Sequence, residues 1–285
     1  MESAERITLM GGQVEAVLYD IPRQVSGGFF ERIWDEARRL QRIFSIYEPE
    51  SELSRLNSVR VLDASDELVE VVSTALGFCE ATSGAYDISQ GKRFIARKTG
   101  SALPETSCSF RDIAVDGNRI VLAHPDVVLD LGSIAKGYIG DKIIDKMRRI
   151  GVRSGFVDAR GDMRVFGANI EVISIQHPRD REKTLRPFVL DEAAVATSGD
   201  YRQYWGSYDR SHIVGETDFI SATVIAPTLT EADALASCLF LAGSSDADRL
   251  MGKYPHARAV AYDRHMQEFI FGGFEASALE AKIGH

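Results

Sequence analysis

One stretch constrains this chain more than any other: Val127 to Ile150, VVLDLGSIAKGYIGDKIIDKMRRI. An apolar run over Val127–Leu131 reads as a buried strand, Gly132-Ser133 as a tight turn, and a helix is expected from about Ile134. Ala135, Ile139, Ile143, Met147 and Ile150 recur at helical spacing and form one apolar stripe. Ser133 suits an N-cap, and Gly151 stands where a helix should stop. A strand that feeds a glycine turn and a helix directs free backbone N–H groups and a positive dipole end at one spot. Anions, phosphates above all, bind at such spots. Lys136, in the first helical turn, adds a cation, and Asp130 at the strand end can take a hydroxyl, an amine or a metal-bound water. An ordinary turn with a surface lysine reads the same way from this stretch alone. Neither G-x-x-x-x-G-K-[ST] nor G-x-G-x-x-G is present.

The other segments place this unit in an α+β chain. Ile7–Tyr19 reads as a strand pair or as one long strand interrupted at Gly11-Gly12. Phe29–Phe44 carries Phe30, Ile33, Ala37, Leu40 and Phe44 on one helical face. Pro49 breaks that helix, Ser51 starts a short one, and Asp66–Thr82 forms another that ends near Gly84. Strands are expected at Asp112–Val115 and Arg119–Ala123 around an Asp116-Gly117-Asn118 turn. Further strands follow at Ser154–Ala159, Met163–Phe166, Glu171–Gln176, Pro187–Leu190, Ala193–Thr197, Ser211–Val214, Ile220–Ala226, Ala257–Tyr262 and Glu268–Phe271. Helices and strands alternate too irregularly for a Rossmann sheet. The expectation is one compact unit over residues 1–285 with a mixed or antiparallel sheet and packed helices.

Thr228 and Glu231 form a capping box, so Asp233 is not needed as the cap. Asp233 and Ser237 stand four apart on one face of an alanine- and leucine-rich helix. A buried carboxylate there needs a metal, a lysine or several donors. Asp158 and Asp162 flank a glycine turn, where turn chemistry and a role in a cleft read alike. Tyr47, next to the helix break, is either a core filler or an exposed aromatic platform.

A net charge of −9 leaves no basic excess for nucleic-acid phosphates. Cys79, Cys108 and Cys238 are odd in number and without C-x-x-C, which suits a reducing compartment. No run approaches the roughly 18 apolar residues of a membrane span, and the N-terminal stretch has neither an apolar signal core nor an early cysteine for lipid attachment. A cytoplasmic location is expected.

Taken together, Met10-Gly11, Phe44-Ser-x-Tyr47-x-Pro-x-Ser51-Glu-Leu-x-Arg55-Leu-Asn57, Ser83-Gly84-Ala85-Tyr86-Asp87 and Leu129-Asp-Leu-Gly-Ser-Ile-Ala-Lys-Gly-Tyr138 form an ordered series. It continues with Val157-Asp-x-x-Gly-Asp162, Ala196-Thr-Ser-Gly-Asp-Tyr201, His212-Ile213 and Ala232-Asp-Ala-x-Ala-Ser237. This series resembles the ApbE family, the FAD:protein FMN transferases. The resemblance implies a fold related to the T-fold, with FAD as substrate and a catalytic Mg2+. It also implies an acceptor flavoprotein whose Ser or Thr hydroxyl receives FMN while AMP is released. Carried onto this sequence, it assigns Asp233, Ser237 and a backbone oxygen of Ser133 to the metal. Met10, Tyr47, Ala85, Tyr86, Asp87, Asp130 and Lys136 fall to FAD, and His212 becomes the candidate base. The sequence departs from the family pattern after His212, where an Asp-Pro-x-Thr-Gly stretch is missing, and at Arg160, where glycine is usual. A flavin-binding protein without transfer activity, or a Mg2+-dependent FAD pyrophosphatase, are the alternatives those departures raise.

Overall fold

The structure is a computed structural model that describes residues 2–201, 204–205, 207–211 and 217–273, with side chains for 2–201 and 217–273. An eight-stranded sheet runs through it, in the order Ser3–Leu9, Gly12–Leu18, Gly155–Ala159, Asp162–Phe166, Ala194–Gly199, Phe219–Ala226, Arg258–Asp263, Glu268–Phe271. Spatial order therefore equals chain order, and every neighbouring pair is antiparallel.

Six α-helices lie among the described residues: α1 (Gly27–Phe44), α2 (Glu52–Val59), α3 (Asp66–Ala81), α4 (Gly91–Thr99), α5 (Ala135–Arg149) and α6 (Leu229–Met251). The expected faces of α1 and α5 are the buried ones. Phe30, Ile33, Ala37, Leu40 and Phe44 point inward from α1, and Ala135, Ile139, Ile143 and Met147 from α5. Period-2 alternation divides the sheet between two cores. Ala194, Val224 and Ala259 face the helices, while Val195, Ile225 and Val260 face a smaller cluster under the hairpin Glu171–Gln176/Thr184–Leu190. Phe219–Ala226 is buried throughout because both of its faces are covered.

Several expectations need correction. Val127–Leu131 is extended and buried, but only Val128 bridges to another chain segment, at Gln90. Its backbone groups are shared between the loop at Ile88–Gly91 and side chains: the Asn57 amide donates to Leu129 O at 3.0 Å and accepts from Leu129 N at 2.7 Å. Ser133 does not cap α5, since the cap position is Ile134 and no side chain bonds there. Thr228 accepts from Glu231 N, but the Glu231 carboxylate turns to His256 at 2.8 Å, so the box is half formed. Sequence periodicity also passed over α4, whose only buried residue is Gly91.

The helix begun at Leu229 breaks where the apolar pattern stops at Ala242. Gly243, with φ 62°, sits at a kink, and the chain resumes helically to Met251. No helix of the described residues is long and apolar enough to cross a membrane.

Candidate active site

The N-terminal halves of α5 and α6 meet unusually closely. A Cβ on Gly137 would lie 2.3 Å from the carbonyl oxygen of Leu229, so only glycine permits this approach. One turn further along α5, Asp141 accepts from Leu229 N at 2.8 Å, Thr230 N at 2.8 Å and the Thr230 hydroxyl. It therefore caps the free amides of α6 from a different helix. Arg164, from the sheet, pairs with the same carboxylate. These contacts fix the register of the two helices, and that register brings Lys136 to Asp233.

Lys136 Nζ lies 2.6 Å from Asp233 Oδ1 and 3.4 Å from Asp162 Oδ2. Asp233 Oδ2 accepts from Gly137 N at 3.0 Å, and Asp162 Oδ1 from Thr197 N at 3.2 Å. Both carboxylates are buried. Burial works against the charge on Lys136, but the two carboxylates outweigh it and its pKa ends above the ordinary value. For Asp233 burial is the largest influence; Lys136 opposes it, Asp162 reinforces it, and the carboxyl is pushed up to about 7. Of the first amides of α5, Gly137 N is given to Asp233 and Ala135 N to Leu131 O, so the expected anion nest is partly filled from within.

Hydroxyls surround this group. Tyr86 Oη and Ser133 Oγ are 2.8 Å apart, and Ser198 Oγ and Ser237 Oγ 2.9 Å. Among the described residues no three His, Cys, Asp or Glu side chains gather as a metal cluster. The donor set is instead two carboxylates with neighbouring hydroxyls, all hard oxygen. That composition fits Mg2+, which uses one or two carboxylates and completes its shell with water and substrate phosphates. With Asp233 ionised, two buried carboxylates sharing one ammonium leave a negative charge that a cation would answer.

These residues line a cavity of about 1070 Å³. Met10, Tyr47, Ala85, Tyr86, Asp87, Asp130, Ser133, Lys136, Asp233 and Ser237 all line it, so the structure brings together every site residue singled out from sequence except His212. His212 lies outside the described residues. Tyr47 stands at the mouth, 61% exposed, with Lys98 Nζ 4.4 Å from its ring centroid and 2.6 Å from its hydroxyl. Met10 occupies a turn with φ 52°. Asp130 Oδ1 accepts from Gly132 N at 2.8 Å, while Oδ2 is buried without a hydrogen-bond partner; burial raises its pKa. Asp87 differs from the others: its oxygens accept from Ser89 N and Phe110 N, which is the work of a turn carboxylate.

Sequence reasoning missed Asp141, Ser198 and the α4 side chains Arg93, Phe94 and Lys98 on the cavity wall. A usable signal existed only for Asp141: Gly137 and Gly140, three apart, mark a close helix approach, and Asp141 shares the face of Gly137.

Residues 10–261 match the sequence model of the ApbE family. The FAD:protein FMN transferase of Haemophilus influenzae is 30% identical over 71% of this chain and 69% of its own length. That of Escherichia coli K12 is 26% identical over 87% of this chain and 82% of its own. Among solved structures, the flavin transferase ApbE of Vibrio cholerae superposes with a TM-score of 0.82 at 22% identity, covering 96% of this chain and 98% of that one. The Thermotoga maritima ApbE protein gives 0.83 at 23% identity, with the same coverage.

Proposed function

This chain belongs to the ApbE family and is a transferase; from that premise we propose that it moves the FMN portion of FAD onto a Ser or Thr hydroxyl of an acceptor protein. The observation that supports this reading is the cavity itself. Its wall offers a charged surface, Asp162, Asp233 and Lys136 with hydroxyls around them, and an apolar and aromatic one that includes Met10 and Tyr47. A molecule with a charged middle and flat ring systems, such as FAD, suits those two surfaces.

In the proposed reaction the acceptor oxygen attacks the FMN phosphorus. The bond from that phosphorus to the bridging oxygen breaks, and AMP departs with the electron pair. The hydroxyl proton must leave at the same time, and His212 is the proposed base. Held by Asp233, Ser237 and Ser133, Mg2+ would supply neutralisation of the charge that builds on the pyrophosphate. Lys136 contributes a fixed positive charge on the same surface, close to where phosphate oxygens must lie. Asp130, with one buried oxygen unpartnered, is placed to accept from a hydroxyl or amine of the substrate. The Tyr47 ring offers a stacking face for a flat ring system.

Mixing the protein with FAD, Mg2+ and an acceptor domain carrying a modifiable Ser or Thr tests this directly. An acceptor heavier by one FMN, fluorescent in the gel and absent when EDTA is added, is the expected result. FAD split to FMN and AMP with no change in acceptor mass would identify a pyrophosphatase. Tight FAD binding with neither product, also with the native acceptor, would identify a flavin-binding protein. In the His212→Ala variant the rate should fall steeply with FAD affinity retained; an unchanged rate moves the base elsewhere.

A further inference from the structure

Two-residue turns close two hairpins at the same end of the sheet. Met10 and Gly11 join Ser3–Leu9 to Gly12–Leu18, and Arg160 and Gly161 join Gly155–Ala159 to Asp162–Phe166. Val14 is registered with Ala159, so the two turns stand side by side. All four residues have positive φ: 52° and 73° in the first turn, 66° and 90° in the second. Tight hairpins of native twist require this backbone, and glycine or asparagine normally supplies it. Gly11 and Gly161 follow that rule. Met10 and Arg160 break it, and a long L side chain is strained there.

The two strained residues are bonded to each other. Arg160 Nη1 donates to Met10 O at 2.7 Å, while Met10 N donates to Gln41 Oε1 at 2.6 Å. Both peptide groups of Met10 are thus held by side chains, one from α1 and one from the neighbouring turn. Gly12 leaves the space for this arrangement, since a Cβ there would come within 2.5 Å of Arg160 Nε and 3.0 Å of its Cδ. Met10 and Arg160 both line the cavity, as does Asp162 two residues on. Glycine at 160 would make the same turn without strain, so the turn does not explain the arginine. Its contact with the cavity wall does.

We propose that Arg160 is a positioning residue for FAD: its guanidinium locks the Met10 turn into the cavity wall, ready for the flat ring of the substrate. The inference rests on reading the cavity as the FAD site. A preset wall spares the cost of ordering the turn on binding, and the Met10 thioether is a soft partner for an aromatic face.

Two variants test it, each titrated with FAD by flavin fluorescence and melted without ligand. Arg160→Gly should raise the Kd for FAD about tenfold, the equivalent of one lost charged hydrogen bond. Its Tm should stay within roughly 2 °C of the parent, because released backbone strain offsets the lost bond. Gly12→Ala keeps the arginine but crowds out its side chain, and should raise Kd to a similar extent. An unchanged Kd in Arg160→Gly overturns the inference, whatever the Tm. A parent protein that binds no FAD overturns the reading of the cavity itself, and the role of Arg160 with it.

Discussion

At the α5–α6 end of the cavity Asp233, Asp162 and Lys136 are buried and bonded to one another, whereas at its mouth Tyr47 is 61% exposed beside the Lys98 ammonium. The first region is assembled from distant parts of the chain and held by charge in a poorly solvated place. Removing Lys136 there would leave two carboxylates buried without their cation, which is costly. The second region is solvated on one side, so its ion–ring contact adds little to folding. Stability and substrate handling are therefore entangled at the deep end and separable at the mouth.

The largest expected effect comes from cutting into the deep end. Asp233→Ala should slow FMN transfer about a thousandfold, read as acceptor mass against time, with a native circular dichroism spectrum; parental turnover in this variant would mean the two ends do not differ as described. EDTA should abolish transfer in the parent and be reversed by added Mg2+. Asp141→Ala removes the partner of Arg164 and the cap of α6, and should cost about 3 kcal/mol in urea unfolding. A loss below about 1 kcal/mol would show that helix register does not depend on that carboxylate.

At the mouth, Tyr47→Ala should raise the KM for FAD about tenfold, in keeping with the loss of one aromatic stack. Its unfolding free energy should stay within about 0.5 kcal/mol of the parent. A clear loss of stability here would blur the contrast. Smallest of all, Lys98→Ala should raise KM about two- to threefold, as expected for an exposed cation–π contact.

What could be read from sequence follows the same division. Asp233 announced itself because a carboxylate amid Ala232, Ala234, Leu235 and Ala236 is out of place unless it has a partner. The stripe on α5 and the face of α1 were legible because burial is periodic there. Asp141 was legible only indirectly, through the close helix approach that Gly137 and Gly140 mark, since the amides it accepts from lie 88 and 89 residues away. Asp162 looked like a turn residue and proved to be buried beside Lys136. Val127–Leu131 reads as a strand because it is an apolar run. Its ladder is replaced by the Asn57 side chain and the loop at Ile88–Gly91, which hydrophobicity cannot foretell. The α4 helix escaped because it buries so little that no apolar period marks it.

The bond between Arg160 and Met10 joins residues 150 apart, although their strands are separated in the sheet by a single pairing. All of α1 to α5 lies in that interval. Closing a loop of this length carries an entropic cost of about 4–5 kcal/mol before any contact rewards it. Local hairpins can form at once, but Gly12–Leu18 can meet Gly155–Ala159 only when the helical segment between them has collapsed. The wall of the cavity is therefore built from contacts of high sequence separation, the kind whose entropic cost slows folding relative to local hairpins and helices.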